Sequence, residues 1–207
     1  VGVISAVCGK NDLVILDRLS HASMVDGAKL SGAQMKVFRH NDVEHLDNVL
    51  RRNKDARTRL VAVEGIYSMD GDIAPLDEIL KVVRKHDAML LVDEAHSTGV
   101  LGEGGRGAAS HFGIEGQIDL HVGTLSKAIG ACGGFVAGKS DLVTYIRYFA
   151  RSGMFSTAPS PMVTAAAAAA LDVIEEESWR VERLWDNCRF MHSELKRMGF
   201  TISGDPS

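Results

Sequence analysis

Short apolar runs alternate with longer stretches of helical period along this chain. "DLVILD" (12–17), "MKVFR" (35–39), "RLVAVEGI" (59–66), "AMLLVDEA" (88–95), "DLHVGT" (119–124) and "GGFVAG" (133–138) read as strands. The near-continuous apolar character of 59–66 and 88–95 is what a strand covered on both faces requires. Between them, "HASMVDGAKLSG", "VEHLDNVLRRN" and "PLDEILKVVRKHD" read as helices. Glycine stops the first, and Pro75 stands near the start of the last. The opening "VGVISAV" reads as helix interior. A long helix is expected from about Pro161 through "MVTAAAAAALDVIEEE", where six alanines suggest close packing. From Trp179, "WRVERLWDNCRFMHSELKRMGF" predicts a charged amphipathic helix leading to a strand, "FTIS". The alternation predicts an α/β fold, a mainly parallel sheet with crossover helices. Residues 1–175 are expected to form one domain. Residues 176–207 are expected to be a linker helix and the start of a small α+β domain.

Composition narrows the class. The 207 residues are 45% hydrophobic and 24% charged, enough for one sizeable core. Net charge is −4 and pI about 6.1, so no nucleic-acid footprint is visible. Cys8, Cys132 and Cys188 include no C-x-x-C pair. That argues against a disulfide framework or a zinc site and suits a reducing, cytoplasmic setting. No apolar run is long enough to span a bilayer, and no signal peptide is visible.

Three motifs compete for the chemistry. Residues 133–140, "GGFVAGKS", match G-x-x-x-x-G-K-[ST], which would make Lys139 a phosphate clamp. Yet Gly-Phe-Val-Ala reads as strand, and a P-loop is a turn; Ser140 or Asp141 is then expected to cap the next helix. Residues 102–107, "GEGGRG", match G-x-G-x-x-G, but eight loop residues separate them from the nearest strand, so they read as a flexible loop. The third constellation is Asp93, His96 and Lys127. Asp93 ends a buried strand, His96 follows in the same loop, and Thr124, Ser126 and Lys127 follow the next strand. Ligand sites gather at such strand ends. A lysine buried among small and apolar residues is a candidate Schiff-base former.

At these residues the chain resembles the α-oxoamine synthases, a family of fold-type I pyridoxal-phosphate enzymes. The matching stretches are "DRLSHASMVDGAKLSGA", "FRHNDVEHL", "VEGIYSMDGDIAPL", "LLVDEAHSTGVLGEGGRG" and "GTLSKAIGACGGFVAG", in family order over nearly the whole chain. The resemblance implies the large domain of that fold and pyridoxal 5'-phosphate as cofactor. It implies that Lys127 forms the Schiff base and then acts as general base at Cα. Asp93 would pair with the pyridine nitrogen, keeping the ring an electron sink. His96 and Ser68 would bond the phenolic oxygen. His21 would stack on the ring, although its spacing alone suggests a helix-start histidine. Thr124 would bind the phosphate, with Ser156 and Thr157 reaching the phosphate of the other subunit in a homodimer.

The reaction implied joins an amino acid to an acyl-CoA or acyl-carrier thioester, usually with loss of CO2, giving an α-aminoketone. "DRLSHAS" and "YSMDGDIAPL" lean toward the 8-amino-7-oxononanoate type, "GTLSKA" and "VDEAHS" toward the sphingolipid type. A 2-amino-3-ketobutyrate ligase type is the alternative. The chain departs from the family at "TAPSP", where Ala158 replaces a hydroxyl. The family's glycine-rich phosphate turn would precede Val1 and its substrate arginine would follow Ser207, so the parent is expected to be about twice this length, and this piece alone inactive. Readings of another class are a non-catalytic subunit, which would lack the lysine, and a P-loop nucleotide binder.

Overall fold

In the computed structural model, residues 1–202 are described. The chain runs through α1 (Gly2–Val7), β1 (Leu13–Asp17), α2 (Ala22–Ser31), β2 (Gln34–Phe38), α3 (Val43–Arg52) and β3 (Arg59–Glu64). It continues with α4 (Leu76–Lys85), β4 (Met89–Asp93), a 3-10 turn (Glu103–Gly105), α5 (Ala108–His111), β5 (Leu120–Thr124) and β6 (Gly134–Gly138). Four helices close it: α6 (Ser140–Phe149), α7 (Arg151–Met154), α8 (Pro161–Glu176) and α9 (Trp179–Arg197).

The six strands form one sheet in the order β2-β1-β3-β4-β5-β6. Every pairing is parallel except that of β5 with β6. The chain steps outward from β1 to β2 and then returns to β3 on the other side. This reversal is the topological switch point where α/β sheets open a crevice.

Alternation along the central strands fills both faces. Leu13, Ile15, Val61, Val63, Leu90 and Val92 pack with Leu46 and Leu50 of α3 and with Leu76, Ile79 and Val83 of α4. Val14, Leu16, Leu60, Ala62 and Leu91 pack the opposite way with Ile4, Met24, Ala28 and Ile146 from α1, α2 and α6. Local chemistry agrees with these placements. Gly32 ends α2 with φ 72°, a left-handed C-cap that glycine adopts without strain. Asp42 caps α3 by accepting from His45 N–H at 2.7 Å. Pro75 stands at the N-cap of α4, which has Asp77 and Glu78 in its first turn and Arg84 and Lys85 in its last, matching the helix dipole.

Four expectations need correction. Lys139, not Ser140 or Asp141, is the N-cap of α6, and no side chain caps it; the helix starts early enough to place Asp141 in its first turn. The alanine-rich α8 forms, but Ala167 is its one buried residue among those described, so close packing is absent. "GEGGRG" is a packed loop, with Gly105 buried and its carbonyl accepting from Gly99 N–H at 2.7 Å. Phe200, Thr201 and Ile202 form no strand, and Ser203, the last residue of "FTIS", lies outside the described residues.

Candidate active site

The carboxyl ends of β1, β3, β4 and β5 lie side by side, and a cavity of about 910 Å³ opens there. Each strand end contributes. The segment after β1 gives His21, β3 gives Glu64, β4 gives Asp93 with His96 behind it, and β5 gives Thr124 followed by Ser126 and Lys127. The P-loop match contributes no phosphate loop. Gly134–Gly138 is strand, paired antiparallel with Leu120–Thr124 at the edge of the sheet.

Lys127 Nζ lies 2.8 Å from His96 Nε2. Burial, then the lysine charge, push the His96 imidazole below its ordinary value, so the neutral ring is free to accept a hydrogen bond from Lys127 Nζ. Lys127 itself is exposed, so the burial expected of it is not found here. Asp93 is half-buried, and its Oδ1 accepts from Ala95 N–H at 3.0 Å. Burial raises its carboxyl above the usual range, outweighing the Ala95 bond and the nearby Lys127, His21 and His96. An acid in that state gains from a cationic N–H arriving through the cavity.

His21 fills two places at once. It lines the cavity, and its ring Nδ1 caps α2 by accepting from Ser23 N–H at 3.3 Å, so the helix-start reading is also correct. Thr124 Oγ1 sits 2.7 Å from Ser126 Oγ and donates to Gly133 O at 3.2 Å. Three candidates stand apart. Ser68 is exposed in the turn after β3, and Ser156 and Thr157 are exposed between α7 and α8; none of them lines the cavity.

Glu64 is the residue that sequence reading missed. It is buried, lines the cavity, and is the register partner of Asp93. Its Oε1 accepts from His21 N–H at 2.6 Å, which fixes the backbone that presents the imidazole. Burial raises its carboxyl, opposed by the His21 N–H. The signal was present in "RLVAVE": an acid ends a buried strand there, as in "LLVD".

The donor set is an amine, two acids, two imidazoles and clustered hydroxyls around one cavity. It fits a group that carries an aldehyde, a basic ring nitrogen, a phenolic oxygen and a phosphate. The aminotransferase class I and II family matches the chain over residues 1–207. The chain is 46% identical over 202 residues to 8-amino-7-oxononanoate synthase 1 of Bacillus subtilis (strain 168), covering 98% of itself and 52% of that protein. It is 46% identical over 198 residues to 8-amino-7-oxononanoate synthase of Thermosipho melanesiensis, covering 96% and 51%. Among solved structures it is similar to a serine palmitoyltransferase variant from S. paucimobilis with a bound PLP–myriocin aldimine. That match has TM-score 0.93 and 46% identity, covering 97% of this chain and 50% of that one. The chain spans about half the length of the relatives it matches. It belongs to the aminotransferase class I and II family, in which these relatives are pyridoxal-phosphate-dependent α-oxoamine synthases.

Proposed function

We propose that the whole protein of which this chain is the cofactor-binding part joins an amino acid to an acyl thioester, giving an α-aminoketone with loss of CO2. The observation that carries this reading is the Lys127–His96 contact at 2.8 Å beside Asp93 in the cavity. Pyridoxal phosphate, when bound, supplies an electron sink for charge at the amino acid's Cα.

The chain's own groups do the rest. Asp93 would pair with the ring N–H, and His21 would cover the ring. Thr124 holds phosphate. His96 would hold the phenolic oxygen, and Ser68, which stands outside the cavity lining here, would share that bond by reaching in from its turn. Lys127 Nζ would hold the aldehyde end of the cofactor and serve as the base for the α-proton, with neutral His96 beside it to hold the amine in place. Ser156 and Thr157, exposed here, reach a second copy's phosphate in a homodimer. The proposed domain boundary stays between residues 175 and 176, in the last turn of α8. The setting is cytoplasmic; among the described residues no helix is long and apolar enough to cross a membrane.

The relatives favour the 8-amino-7-oxononanoate type. The equal identity to a serine palmitoyltransferase supports that type as the second reading. Turnover of glycine, alanine and serine against short, long and dicarboxylic thioesters separates the two. The decisive test is to add pyridoxal phosphate to the full-length protein, reduce with borohydride and map the labelled peptide. The pyridoxyl group is expected on Lys127, and a folded dimer labelled elsewhere or not at all would overturn the reading. Lys127→Ala is expected to lower kcat by about 10²–10⁴-fold.

A further inference from the structure

The stretch "FRHND" (38–42) has no part in the site described above, yet its polar residues are all engaged. Asp42 caps α3. Asn41 adopts φ 52°, and from there its N–H donates to Asp17 Oδ2 at 2.9 Å and its Nδ2 to Asp72 Oδ2 at 2.7 Å. His40 spans the same two acids, with Nδ1 2.8 Å from Asp17 Oδ1 and Nε2 2.7 Å from Asp72 Oδ2. A carboxylate at each ring nitrogen requires both nitrogens to donate, so the ring is an imidazolium. Asp17 is buried at the end of β1. Asp72 lies in the turn after β3, which is closed by Tyr67 N–H to Asp72 O at 2.9 Å and Gly71 N–H to Tyr67 O at 2.9 Å. Tyr67 meets the His40 ring edge-on at 4.5 Å. Ser68 is the next residue in that turn.

We propose that the His40 imidazolium, bridging Asp17 and Asp72, is a positioning clamp that holds the 67–72 turn and so sets how Ser68, outside the cavity lining here, is presented toward the cofactor. The Ser68 clause rests on the function proposed above; the clamp itself does not. His40 acts through Asp72 and Tyr67 rather than on substrate.

The groups facing the ring are Asp17, Asp72, Tyr67 and Asp70, whose carboxylate lies within 4.8 Å of the His40 and Asp72 polar atoms. Burial, then the Asp17 charge, push the Tyr67 phenol far up, so it stays neutral. For His40, burial acts downward, but bonds and charges from Asp17 and Asp72 outweigh it and the net shift is upward. A raised histidine contributes its full stabilisation below its ordinary value of about 6.5 and loses it as pH climbs through the folded-state value.

The test is amide hydrogen exchange of the 66–73 segment in the full-length protein, comparing wild type with His40→Gln and the milder Asp72→Asn. Exchange there is expected to rise about tenfold or more in both variants while the central strands stay protected. In wild type, protection of this segment is expected to fall above pH 6.5 beyond the ordinary pH factor, a step that His40→Gln abolishes. Unchanged exchange in both variants overturns the clamp. Cofactor titration then tests the Ser68 clause: His40→Gln and Ser68→Ala are expected to weaken binding non-additively, and strict additivity overturns it. If the full-length protein takes up no pyridoxal phosphate, the proposed function fails while the exchange result still decides the clamp.

Discussion

Asp93 and Glu94 are neighbours in sequence and sit in opposite electrostatic states. Asp93 points to the cavity side, where its hydrogen bond among the described residues comes from Ala95 N–H, and burial raises its carboxyl. Glu94 turns away into the packed interior. Ala108 N–H donates to it at 2.9 Å, His121 Nδ1 lies 3.3 Å away, and Ser97 Oγ donates as well. Burial alone would raise Glu94, but the bonds from His121, Ser97 and Ala108 outweigh it and hold the carboxyl below its usual range. Both acids carry a desolvation penalty, and only Glu94 has it offset within the chain. An acid left under-compensated at a cavity wall is available to a ligand; one with its bonds complete is part of the frame.

The largest effect follows from breaking the satisfied side. Glu94→Ala strands the Ala108 N–H, the Ser97 hydroxyl and His121, and is expected to cost about 3–5 kcal/mol, read from the urea midpoint. In wild type the same group contributes stability above about pH 4.5, lost as pH falls through its depressed folded-state value; the variant should lack that acid limb. A smaller loss comes from crowding the seam between the two sides. A Cβ on Gly65 would lie 2.6 Å from Ser97 Oγ and 2.7 Å from Ala108 Cβ. Gly65→Ala is therefore expected to cost about 1–3 kcal/mol, again by urea denaturation.

The sheet and most of its crossovers were legible because buried parallel strands and amphipathic helices write their period into the chain. "RLVAVE" and "MLLVD" could be little else, and "GGFVAG" identified itself as strand against its P-loop spelling. Lys127, His96, Asp93 and Thr124 were found by their place after strand ends, a rule the fold enforces. The same rule, applied to "RLVAVE", would have found Glu64. The packing of α8 was illegible for a physical reason: a run of alanines has no polar–apolar contrast, so it declares a helix without declaring a buried face. The positions of Ser68, Ser156 and Thr157 depend on how exposed segments are held, which spacing does not encode. The His40 bridge joins acids 23 residues before and 32 residues after it, a separation no local pattern reveals.

The smallest effect should carry the opposite sign. Asp93 is raised, so the folded state disfavours its charge: both states are protonated below the ordinary value of 3.8, and the cost to the fold appears as pH climbs through the raised value. Asp93→Asn removes that charge and keeps the side chain's shape. The cofactor-free protein at pH 7 should therefore melt slightly higher than wild type, by less than either loss above, and the gain should vanish in strong acid. Pyridoxal phosphate should invert the order. A ligand that binds only the folded state stabilises in proportion to its affinity, and the variant no longer offers a carboxylate to the ring N–H. Wild type should gain more in Tm on addition of the cofactor, and the two melting curves should cross. If Asp93→Asn melts lower without cofactor, Asp93 belongs to the frame with Glu94. If it gains as much as wild type with cofactor, the raised acid is not where the ring binds.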